Sequence, residues 1–142
     1  MESGKDELFF EISVSSSYEW EMDVRIALVS EDFRCAVEVE TNPDWLNDLA
    51  ANFRGYPKSR DDRFRIEVGI AKYQHALIEA SCADLASHTV LTITLTEGSR
   101  TSSYRETLVV FPFEPAAADE FAAALEQIAE TRTGRAQLAI AH

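Results

Sequence analysis

The sequence predicts an α+β fold, a two-layer sandwich in which a mainly antiparallel sheet of about seven strands carries two helices on one face. Three observations lead there. Apolar and polar residues alternate in seven short runs, the period of a strand with one buried side. Only two segments carry apolar residues at helical spacing. The connections between runs are short, which favours antiparallel meanders over crossovers. The expected order is βββαββββα, in a single domain over residues 1–142, a length typical of one folding unit.

Leu8, Phe10, Ile12 and Val14 alternate with Phe9, Glu11 and Ser13, and the cluster Ser15-Ser16-Ser17 reads as the turn that ends this strand. Met22, Val24, Ile26 and Leu28 then face one way while Glu21, Asp23 and Arg25 face the other. After a short turn at Ser30-Glu31-Asp32, Phe33, Cys35, Val37 and Val39 alternate with Arg34, Ala36, Glu38 and Glu40. Two strands joined so closely form an antiparallel hairpin, apolar on one face and acidic on the other.

Thr41-Asn42-Pro43-Asp44 changes the pattern. Asn42 suits a helix cap and Pro43 a first helical position. Trp45, Leu46, Leu49 and Phe53 follow at helical spacing, and Gly55 stands where a terminating glycine belongs, so 43–54 is expected to be helical. Strand periodicity returns at Phe64, Ile66, Val68 and Ile70. A turn near Ala71-Lys72 leads to a strand over 75–83, with Asp84–His88 as a connection. Leu91, Ile93 and Leu95 alternate with threonines, a β-branched strand. Glu97-Gly98-Ser99 is a turn, and Tyr104–Phe113 is a strand with apolar residues on both faces at Val109-Val110-Phe111. Pro115 opens a helix over 116–132 marked by Phe121, Leu125 and Ile128, and Gly134 stops it. Residues 135–142 are weakly patterned and expected as a partly disordered tail.

Charge is the most informative feature. The first 48 residues hold thirteen acidic side chains against three basic ones, Lys5, Arg25 and Arg34, and so carry most of the formal charge of −12. A fixed acidic surface repels nucleic acid and anionic lipid and attracts a basic partner. The charged N-terminus has no signal-peptide pattern and no apolar run is long enough for a membrane helix, so a soluble, cytoplasmic protein is expected. Cys35 and Cys82 sit in apolar runs and read as small buried hydrophobes.

No pattern for catalysis, metal binding or a cofactor is found. His75 and His88 flank the strand that carries Cys82, but the spacing matches no zinc motif. Glu21 with Asp23, and Glu38 with Glu40, pair up on a solvated face that lacks the shielding acid–base chemistry needs. The five glycines are scattered and form no phosphate loop. The stretch from Arg54 to Lys72 has six bases interrupted by Asp61, Asp62 and Glu67, and its expected role is to complement the acidic face within the fold or across a dimer. The candidate partner-binding residues are therefore Glu19, Glu21, Asp23, Glu38 and Glu40 as an electrostatic face, with Tyr18 and Trp20 as aromatic anchors. The alternative for the acids is a merely solvating face, and for the aromatics a hairpin-edge cluster.

The pattern Ser30-Glu31-Asp32-Phe33, then Asp44–Phe53, Arg65–Val68, Ala76–Ala80, His88–Leu95 and Phe121–Ile128, resembles WapI-type bacterial immunity proteins and related small bacterial domains over about residues 20–130. The resemblance implies a two-layer α+β fold and, for the immunity members, neutralisation of a cognate toxin. It supplies no catalytic residues. The leading expectation is a non-enzymatic, immunity-type inhibitor of a basic protein, such as a nuclease toxin whose cleft is basic because its substrate is a polyanion. The alternatives are a viral or mobile-element inhibitor of a host nucleic-acid enzyme, a self-associating structural or regulatory domain such as a homodimer, and an enzyme with an unrecognised site.

Overall fold

The computed structural model describes residues 8–30, 34–82, 88–98 and 103–140. Of the expected turns, residues 31–32, 84–87 and 99 fall outside them, as does His142; Glu97 and Gly98, expected in a turn, lie in a strand paired with Arg105 and Tyr104. Over the described residues the fold is α+β, with two helices and two antiparallel four-stranded sheets. The first sheet contains β1 (Leu8–Tyr18), β2 (Glu21–Ser30), β3 (Arg34–Thr41) and β8 (Arg135–Ala139), in the order β3-β2-β1-β8. The second contains β4 (Phe64–Ile70), β5 (Gln74–Cys82), β6 (Thr89–Gly98) and β7 (Tyr104–Phe113) as a sequential meander. Helices α1 (Pro43–Phe53) and α2 (Pro115–Thr131) follow β3 and β7.

Three expectations are corrected. The single sheet is two, because β4 pairs with β5 and not with β3. The chain spends its α1 crossover moving to a second sheet. The serine cluster is not a turn: β1 runs through Ser15-Ser16-Ser17 to Tyr18, with a register irregularity between Val14 and Ser16, and the turn falls at Glu19-Trp20. The tail is not disordered over 135–139, where it forms β8 against β1. Ala136 and Leu138 are buried there, a two-residue alternation too short to announce a strand unless a partner edge is known.

Burial follows the alternation. Phe10 and Ile12 of β1, Met22, Val24, Ile26 and Leu28 of β2, and Val37 and Val39 of β3 turn inward. Ala76, Ile78, Leu91, Ile93, Leu95, Phe111 and Phe113 do the same in the second sheet. The sheets meet where β3 lies against β4, β5 and β6; elsewhere the helix pair joins them. Phe121 of α2 reaches Phe10 at 5.7 Å between ring centroids and Phe53 of α1 at 5.1 Å. Phe53 in turn meets Phe64 at 5.1 Å and Phe113 at 6.1 Å. The edge-on geometry of the three Phe53 contacts is the preferred arrangement for aromatic rings. The ends of α1 follow their sequence signals, whereas α2 ends on Arg132 in a left-handed conformation, two residues before Gly134. Asn42 Oδ1 accepts the Trp45 N–H at 3.0 Å, and Gly55 adopts a φ of 70° beyond α1.

Behind α1, Tyr56 is buried and donates to the Asp62 carbonyl at 2.8 Å. Burial, followed by the neighbouring Cys82, pushes its phenol well above the usual value, so this tyrosine serves as a neutral structural donor.

Truncating Phe121 removes the ring shared by the first sheet and α1. Phe121→Ala is expected to cost about 3–5 kcal/mol in urea unfolding; a loss under about 1 kcal/mol would show that the core can collapse around the gap.

Candidate partner-binding face

The outer face of the first sheet carries the acids, and strand register sets their neighbours. Asp23 pairs with Ser16 on one side and Glu40 on the other; Arg25 pairs with Ser13 and Glu38; Tyr18 pairs with Glu21. Buried Met22 and Val24 flank Asp23, so the carboxylates face outward by alternation. The acids concentrate at one corner, where β2 begins and β3 ends. Arg25, at 3.8 Å from Glu38, borders this corner, while Arg34 and Arg135 lie elsewhere on the face.

The serine run now has a role that its turn-like composition concealed. Ser15 Oγ donates to Glu38 at 3.0 and 3.1 Å, and Ser16 Oγ donates to Asp23 at 2.9 Å. Two of the acids are thus held by hydroxyls from the strand. Glu40 is held differently. Its carboxyl is raised above the ordinary value of 4.5, first by the negative charge of Glu21, then by a hydrogen bond between the two groups, with burial and Asp23 adding to the shift. This corner is a concentration of like charge, bordered among the described residues by Arg25.

Of the seven candidate residues, Tyr18, Glu21, Asp23, Glu38 and Glu40 share the outer face. Glu19 sits at the hairpin tip with a φ of 55°, a left-handed conformation uncommon for a residue other than glycine or asparagine. Tyr18 is 76% exposed and continues the acidic corner. Trp20 is 53% exposed but turns away from that corner, its ring lying 5.9 Å from the guanidinium carbon of Arg132 at the end of α2. The same Arg132 donates to Ser17 Oγ at 3.3 Å.

Two bases of the basic stretch are engaged elsewhere. Arg54 bonds Glu126 of α2, and Arg65 lies 3.8 Å from Glu67 and 3.7 Å from Glu79, so these bases meet carboxylates outside the acidic corner. His75 Nε2 lies 2.9 Å from Glu67 Oε1. Among the described residues no group of three His, Cys, Asp or Glu side chains is placed to hold a metal ion, and no helix is long and apolar enough to cross a membrane. Cys35 and Cys82 are free thiols.

Sequence reasoning missed the ground beside the acids. Ile70 shares the strand periodicity of Val68 but is 67% exposed, and Tyr73 is 41% exposed. Ile70 ends β4 and Tyr73 lies in the β4–β5 turn, and both line a cleft with Asp23, Glu38 and Glu40. The pairing of β4 with β5 ends at Ile70 and Gln74, so strand alternation persists to Ile70 while the core does not. No family model, curated protein or solved structure matches this chain.

Glu40 also makes a testable contribution to stability. Its folded-state value lies above the unfolded one, so its contribution is fully present at low pH and is lost as pH rises through the raised value. Glu40→Gln should therefore raise the melting temperature at neutral pH and leave it nearly unchanged well below pH 4.5. A gain of equal size at both pH values would show that charge repulsion is not its source.

Proposed function

We propose that this protein is a non-enzymatic, immunity-type inhibitor that neutralises a basic protein partner, a nuclease toxin being the partner class that best fits the charge. The observation that carries this reading is the acidic corner itself: Glu21, Asp23, Glu38 and Glu40 gathered on a rigid sheet, with Ser15 and Ser16 orienting two of them. Carboxylates held in place before binding lose less side-chain freedom on association. Their summed field speeds encounter with a basic cleft, and that advantage fades as salt screens it. A nuclease cleft is built to hold phosphates, so a pre-formed row of carboxylates competes on the same electrostatic terms. Tyr18 adds exposed aromatic surface at the edge of the row.

A second reading is self-association. The β7 side chains Leu108 and Val110 are 60% and 57% exposed on the outer face of the second sheet, next to that sheet's edge. Sedimentation over a concentration series distinguishes this reading. A dimer dispersed by Leu108→Lys, with no basic protein bound, would favour it.

The test is capture of partners from lysate of the encoding organism at low and high salt, followed by association kinetics with the purified partner. The expected result is one stoichiometric basic protein. Glu21→Lys with Glu38→Lys should slow association on the order of tenfold or more at low salt and flatten its salt dependence. Kinetics unchanged by the double reversal would remove the acidic face from the account of binding.

A further inference from the structure

Between β3 and the β4–β5 turn lies a cleft of about 770 Å³ with two chemically different walls. One wall is anionic, formed by Glu38 and Glu40 of the edge strand β3 with Asp23 of β2 behind them. The other presents carbon: exposed Ile70 and Tyr73, with Val39 and Gly69 where the walls meet. Two features fix the spacing. Gln74 Oε1 accepts the Glu38 N–H at 3.0 Å and ties the turn to the strand edge. Gly69 has a φ of 99°, and a Cβ there would stand 2.9 Å from Val39 Cγ1 and 2.2 Å from the Gln74 carbonyl oxygen, so only glycine permits this close approach.

The two walls select an occupant. A bare cation gains nothing from Ile70 and Tyr73, a neutral apolar ligand gains nothing from three carboxylates, and nucleic acid is repelled. A cationic head on an aliphatic stem matches both walls, the stem lying on carbon and the head on charge. Arginine matches better than lysine, because its planar fork can engage two carboxylates at once and stack on the Tyr73 ring.

We propose that this cleft receives one arginine side chain projecting from the basic partner, its stem against Ile70 and Tyr73 and its guanidinium among Asp23, Glu38 and Glu40. The inference rests on the acidic-face reading above and adds to it a pocket, an occupant and two residues, Ile70 and Tyr73, outside the electrostatic set.

The test uses the isotopically labelled full chain titrated with a capped Gly-Gly-Arg-Gly-Gly peptide, followed by amide chemical shifts. The expected shifts centre on residues 38–40 and 69–74, with weak affinity on the order of millimolar, as befits a single side chain. The lysine peptide should bind more weakly, and the peptide with citrulline, the uncharged analogue of arginine, should leave the cleft unperturbed. Ile70→Ser and Tyr73→Ala should each weaken binding roughly two- to fivefold. Both side chains are exposed, so neither change threatens folding. Shifts spread over the acidic face without focus on the cleft, and indifferent to Ile70→Ser, would overturn the pocket while leaving the acidic face standing. Absence of shifts at saturating peptide would also overturn the pocket. The acidic-face reading itself falls only if the charge-reversed protein captures the same partner with unchanged kinetics.

Discussion

The contact between Phe53 and Phe121 determines how the two halves of this protein sit together. Phe121 carries the first sheet through Phe10, and Phe53 carries the second through Phe64 and Phe113. All of these rings except that of Phe64 are buried, and none lies on the functional face. With the helix pair holding the sheets together on one side, their direct meeting at β3 places the β4–β5 turn beside the acidic edge. The cleft is thus a consequence of core packing, and its fine spacing is then set locally by Gly69 and by the Gln74 bond to Glu38.

Electrostatic cost and recognition arise from the same residues. Glu21 and Asp23 hold Glu40 above its ordinary value, so the folded chain stores repulsion at this corner. A cation entering the cleft would relieve it. The serines of β1 limit the freedom of the neighbouring acids, and the Arg25 contact with Glu38 at 3.8 Å leaves Glu38 half exposed. Exposed pairs of this kind contribute little to stability, which leaves their carboxylates accessible to a better partner.

Much of the fold was legible because alternation and capping are local signals. The strands from β2 to β7 and both helices lie within a residue or two of their expected bounds, and the Asn42 cap is present as read. The pairing between distant segments was not legible. Whether β4 joins β3 or starts a new sheet depends on contacts that no local pattern encodes, and β8 becomes a strand only because β1 offers it an edge. The serine run misled for a related reason: hydroxyls favour turns when unpartnered, but here Glu38 and Asp23 accept their bonds. The acids of the candidate site were visible in the sequence as charge on alternate positions. Ile70 and Tyr73 were not, because strand periodicity says which way a residue points and not where the core ends.

The central claim is that the carboxylate corner and the adjoining cleft form one recognition surface. Amide hydrogen exchange of the protein alone and in complex with its captured partner tests this most directly. Added protection over residues 21–25, 36–41 and 69–74, with β7 unchanged, is the predicted result. Protection centred on residues 104–113, with β3 and the β4–β5 turn exchanging as in the free protein, would contradict it and move the binding surface to the apolar edge of the second sheet.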